Sequence, residues 1–182
     1  EQRTRELIDS LKAICAAYGL GNDGNEFKII TQVFLYKFLN DKFAFEAKKI
    51  RPELANAESW EAAIAAMNPD DREMLQMQMG PDTARLKPEH FIAHLFGRQN
   101  APEFAKLFDD TLRDIAITNN DIFAVKTDGG AKITLFDRVS EFITDTSKRD
   151  AFCRAIINKL GDFSFERIFS EKCDFYAALF EY

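Results

Sequence analysis

Apolar residues recur at three- and four-residue spacings along most of this chain, which is the period of an amphipathic helix. Over residues 3–18, Leu7, Ile8, Leu11, Ile14 and Cys15 mark one buried face. Gly19 and Gly21 then supply the permissive backbone that ends such a helix. The next stretch is different. Phe27, Ile29, Ile30, Val33, Phe34, Leu35, Tyr36, Phe38 and Leu39 fall on nearly every side of a helix. A helix apolar all round is the buried centre of a helical domain. The pattern therefore predicts a central helix over about residues 25–43, capped by Asn22, Asp23 or Asn25.

Shorter helices follow a polar connection over residues 46–58 that Pro52 interrupts. Ser59 is placed to cap residues 60–67. Asn68-Pro69-Asp70-Asp71 combines a capping side chain, proline in the first turn and two carboxylates at the positive end of the helix dipole. Gly80-Pro81 stops that helix. Pro88 opens one with Phe91, Ile92, Leu95 and Phe96, ended by Gly97, and Pro102 opens a longer one carrying Phe104, Leu107, Phe108, Leu112 and Ile115. Phe136, Val139, Phe142 and Ile143 mark a short helix. Ser147-Lys148-Arg149-Asp150 has the form of a capping box leading to Phe152, Ile156, Ile157 and Leu160, with Gly161 as the stop. A last helix carries Phe165, Ile168, Phe169, Tyr176, Leu179 and Phe180.

Residues 122–136 break this rhythm. Phe123, Val125, Ile133 and Leu135 alternate with Lys126, Lys132 and Thr134 around Asp128-Gly129-Gly130, the signature of a small β-hairpin. The expected architecture is a mainly α, multi-helix bundle around one buried central helix, with one small β-hairpin near residues 122–136. The chain reads as a single helical domain over residues 1–182.

Composition narrows the class. At 182 residues the chain can bury a sizeable core. Its 18 phenylalanines bring apolar area without a polar tip, so they favour a packed interior. Cys15, Cys153 and Cys173 are scattered and odd in number, the usage of small buried hydrophobes in a reducing compartment. No apolar run approaches the roughly 20 residues that cross a bilayer. A cytoplasmic protein without membrane contact is expected. The net charge of −6 argues against bulk attraction to nucleic acid. From residue 126 to residue 159, however, seven basic residues stand against five acidic, and 17 against 25 elsewhere.

Candidate chemistry is sparse. Gly19, Gly21 and Gly24 match the spacing of a dinucleotide fingerprint, but that fingerprint needs a preceding strand and the pattern here gives a helix. His90 and His94 are four apart, a spacing two metal ligands could use, yet a zinc-protease helix needs Glu directly after the first histidine and Phe91 stands there. Met67, Met74, Met77 and Met79 read as flexible core filling. Lys48, Lys49 and Arg51 read as a solvated linker. Asp70-Asp71 and Asp109-Asp110 fall where helix starts or solvent faces belong. No serine, cysteine or threonine has the context of an activated nucleophile. No metal or cofactor is expected on these residues, and no catalytic side chain.

The ends of the chain carry a resemblance. Leu7-Ile8-Asp9-Ser10-Leu11-Lys12 and residues 27–42 resemble the start of the methylation subunit of bacterial type I restriction–modification systems. Asp137-Arg138-Val139, Phe152-Cys153-Arg154-Ala155-Ile156-Ile157 and residues 175–182 resemble the same helical amino-terminal region. The resemblance is weakest between Pro52 and Pro102. It implies an adenine-specific DNA methyltransferase that uses S-adenosylmethionine. Its implied partners are DNA, a specificity subunit, a restriction subunit and a second methylation subunit. The cofactor site and the N-P-P-[FYW] motif of such subunits lie in a later Rossmann-like domain, expected after residue 182, and Asn68-Pro69-Asp70 is not that motif. Glu1 at the start likewise predicts a piece of something longer. The residues expected to face DNA are Lys126, Lys132, Arg138, Lys148 and Arg149, clustered in the least acidic third. A docking module without DNA contact, and a free-standing helical enzyme or metal-binding protein using His90 and His94 or the glycine turn, are the competing readings.

Overall fold

The computed structural model describes residues 2–120, 125–126, 132–133 and 136–170. It is a mainly α fold. Helix α1 spans Gln2–Ala17, and its Leu7, Ile8, Leu11 and Cys15 are buried at the predicted spacing. The chain then turns through Gly19, whose φ of +84° is a conformation glycine adopts without strain. Helix α2 spans Gly24–Ile50 and is longer than its apolar run suggested. Asp23 is its cap, accepting a hydrogen bond from the Asn25 N–H at 2.8 Å. The helix absorbs residues 46–50 of the expected polar connection and ends only where Pro52 forces the preceding Arg51 out of helical geometry. Lys48 and Lys49 thus belong to its last turn, where the negative end of the helix dipole favours cations.

A 3-10 turn over Pro52–Asn56 leads to α3 (Trp60–Ala66), capped by the Ser59 hydroxyl, and α4 (Pro69–Met79), capped by Asn68. The helix expected to open at Pro88 is instead a 3-10 turn, Pro88–His90, followed by α5 (Ile92–Gly97). Phe91 between them has extended backbone (ψ 144°), so the two pieces do not share one axis. Helix α6 spans Phe104–Thr118. The short helix expected over residues 136–143 is a 3-10 turn, Val139–Phe142. Another, Thr146–Lys148, precedes α7 (Arg149–Gly161), and α8 covers Glu166–Ser170.

The expected capping box at residues 147–150 does not form. Asp145 caps the 3-10 turn by accepting from the Ser147 N–H, and Asp150 reaches away to the start of α6, accepting from the Ala105 N–H at 2.8 Å. That start needs outside help, because Glu103 sits in the left-handed region (φ 58°) and offers no side-chain cap. A hairpin over residues 122–136 is not what the described residues give. Val125–Lys126 pairs antiparallel with Lys132–Ile133, and Val125 faces Ile133 while Lys126 faces Lys132. Two residues per strand are too short to stand alone. The predicted Asp128-Gly129-Gly130 turn, Cys173 and the end of the last helix lie outside the described residues.

Two helices organise the core. Against α2 pack α1, α4, α8 and the 3-10 turn after Pro52, while α7 gathers α1, α5 and α6. One apolar cluster runs from Leu7 through Phe34, Phe91, Phe108, Phe152 and Phe165. Phe165 meets Phe34 at 5.7 Å between ring centroids, and Phe169 meets Phe38 at 5.4 Å. Among the described residues no helix is long and apolar enough to cross a membrane.

Candidate nucleic-acid interface

Of the five cations expected to face DNA, Arg138, Lys148 and Arg149 have described side chains. Lys126 and Lys132 stand opposite each other in the strand register. Arg138, six residues on, is exposed and lies 3.6 Å from the Glu141 carboxylate. Arg149 donates from Nε to the Ile143 carbonyl at 2.9 Å, so its guanidinium helps close the local backbone. Lys148 is exposed at the end of the preceding 3-10 turn.

Arg138 and Arg149 share a depression of about 320 Å³ with Lys106, but Glu103, Asp109, Asp110, Glu141 and Asp150 line it too. Carboxylates outnumber cations there, and a phosphate would be repelled. The opposite balance holds one step away. Lys28 of α2, Arg113 of α6 and Arg138 surround an open depression of about 670 Å³ with Asp137, Glu141, Phe136 and Phe142. Lys28 and Arg113 are exposed. Sequence reading missed both, because Lys28 is one polar position in an apolar run and Arg113 lies far from the cationic stretch. Only the fold brings them to Arg138. The Asp137 N–H is held there by the Gln32 side chain of α2 at 2.7 Å, which fixes where Arg138 begins.

The other candidates resolve into structure. At the glycine turn two backbone donors are held by carboxylates: Glu26 accepts from the Asn22 N–H at 2.9 Å, and Asp23 from the Asn25 N–H. Two carboxylates stand where an anion would bind, at the end of a helix rather than of a strand. His90 is buried, and both ring nitrogens are occupied. Nδ1 accepts from the Lys87 N–H at 3.0 Å, and Nε2 donates to Asp114 at 2.6 Å. Burial pushes the ring's pKa down against the pull of Asp114. His94 sits beyond the Phe91 break on another element, so the four-residue spacing does not bring the two rings onto one helix face. Among the described residues no three metal-ligating side chains come together.

Burial pushes the Cys15 thiol up to about 11, with Glu26 adding to it, and raises Cys153 as well. Neither is poised as a nucleophile. Asp109, expected at a solvent face, is buried and accepts from both the hydroxyl and the N–H of Ser140, fastening the Val139–Phe142 turn to α6. Asp110 does face solvent, paired with Lys106 at 3.1 Å. Met79 is buried and Met67 half-buried as core filling, but Met74 and Met77 are exposed. Comparison with protein-family models, with curated proteins and with solved structures finds no match.

Proposed function

We propose that this chain is the helical amino-terminal domain of a type I restriction–modification methylation subunit, and that it meets DNA through the cationic depression of Lys28, Arg113 and Arg138. The subunit as a whole would transfer a methyl group from S-adenosylmethionine to adenine N6, with chemistry performed outside these residues. The observation that carries the DNA contact is the convergence of three cations from three separate elements on one open depression. The strand residues Lys126 and Lys132 lie close by in the chain. The family reading draws support from packing as well: of the stretches that carry the resemblance, those on α1, α2 and α7 meet in one core.

Phosphate contacts release counterions, so the logarithm of affinity should fall with the logarithm of salt concentration by about 0.9 per contact. Lys28→Glu, Arg113→Glu and Arg138→Glu together, in the subunit assembled with its specificity partner, should weaken DNA binding and flatten that slope by about two to three units. Electrophoretic mobility shifts across a salt series measure both. Unchanged affinity and slope in a folded triple variant would sink the DNA contact. Retained capture of the specificity partner in that case would favour the docking reading, for which the exposed Met74 and Met77 speak.

A further inference from the structure

We propose that the outer face of α4 is a docking surface for a basic, amphipathic helix of a partner protein. Residues 52–82 hold seven acidic side chains and one basic, while the rest of the chain holds 23 of each sign. The whole net charge of the protein therefore resides in this one stretch. So do all four of its methionines.

Helix α4 turns Leu75, Gln76 and Met79 inward. Its opposite face carries Met74 and Met77, 58% and 72% exposed. The two are three residues apart and so are neighbours on the helix surface. Asp70 and Asp71 precede Met74 by four and three residues, which places them on the same side of the helix, one turn toward its start, where the Asp71 carboxylate also accepts from the Asn68 amide at 3.0 Å. Glu73 is paired with Arg85 at 2.6 Å, which leaves Asp70 and Asp71 as the acidic border of this face, and the single cation of the stretch does not interrupt it. Arg72 folds back to donate to the carbonyls of Ala65 and Met67, at 3.2 and 2.8 Å. Exposed methionines are unbranched and polarisable, and they adapt to the apolar stripe of an incoming helix.

Charge chooses the occupant. A second copy of this chain, docked about a two-fold axis, would bring together two faces of the same acidic sign. DNA would meet the same repulsion. A helix with apolar anchors at three- and four-residue spacing, flanked by lysine or arginine, matches both the stripe and its acidic border. The proposal is independent of the DNA contact, which uses other elements and the opposite sign of charge.

The full chain is titrated into a fluorescein-labelled synthetic Leu/Lys amphipathic helix and into a peptide of the same composition with the stripe scrambled, followed by anisotropy. Binding should saturate and favour the intact stripe by about tenfold or more, the difference that burying one or two apolar anchors makes. Met74→Ser with Met77→Ser should weaken it by about tenfold, as should Asp70→Lys with Asp71→Lys. Phe27→Ser, at an exposed apolar position outside this stretch, should leave it unchanged, and circular dichroism verifies that every variant is folded. Absence of saturable binding, equal affinity for the scrambled peptide, or equal loss in Phe27→Ser overturns the proposal. Self-association abolished by the methionine pair in sedimentation velocity would also overturn it, by giving the face to a second copy.

Discussion

Lys37 and Asp41 form a charge pair inside the central helix, with side chains 5% and 7% exposed and 3.2 Å apart. Desolvating two ions is costly, and such a pair persists only where other hydrogen bonds complete it. Here Asp41 also accepts from the Phe165 N–H at 2.8 Å and from the Asn40 amide at 3.0 Å. Burial pushes the Asp41 carboxyl above the usual range, with Lys37 and these donors pulling back. Lys37→Met should therefore cost about 3–5 kcal/mol at neutral pH, because it strands a buried carboxylate. Lys37→Met with Asp41→Asn should cost much less, since the amide oxygen still receives the Phe165 N–H. A carboxyl whose folded pKa is raised favours the fold when protonated, so stability is lost as pH rises through that pKa. The deficit of Lys37→Met should accordingly shrink as pH falls toward the unfolded aspartate value of about 4. Urea unfolding of both variants across pH checks the cost and its sign. None of this was legible in the sequence, where Lys37 and Asp41 read as polar breaks in an apolar run. The role of His90 was illegible for a related reason: its spacing to His94 says nothing of the neighbours that engage Nδ1 and Nε2.

At the scale of elements, local signals were read well wherever the partner lay within a few residues. Ser59 and Asn68 cap the helices they precede, and the glycine turn separates two helices. The failures are long-range. Asp150 has the position of its own helix's capping box but serves α6, some 45 residues earlier. Asp150→Ala should cost about 0.5–2 kcal/mol, the ordinary range for a lost cap. Because the cap acts in trans, the loss should appear at α6: amide exchange at Ala105 should accelerate far more than at residues 151–153. An equal change in both places would contradict the assignment. Prolines were also over-read as helix starts. Pro88 begins a single 3-10 turn, because Phe91 must leave the helical region to enter the core.

Across the whole molecule, the mainly α architecture and the buried central helix were legible because an apolar surface on every side has one solution. That a second helix, α7, shares the organising role was not, since its stripe looks like that of any amphipathic helix. The cationic depression was illegible for the same reason that it is compact: Lys28, Arg113 and Arg138 are scattered in sequence and joined only by packing. This arrangement predicts where stability is concentrated. Backbone amides in the middle of α2 and α7, surrounded by core on most sides, should exchange only through global unfolding, whereas those of α3 and α4 should exchange through smaller openings. Hydrogen exchange followed by mass spectrometry across a denaturant series would check it, and the reverse order would contradict it. The reach of α2 has one more consequence. Its Gln32, Asn40 and Asp41 hold the backbone N–H groups of Asp137, Ile92 and Phe165. During synthesis at about 5–20 residues per second, the last of these appears roughly 6–25 s after the helix itself. For that interval the nascent chain displays an apolar helix whose buried carboxylate still lacks the Phe165 N–H.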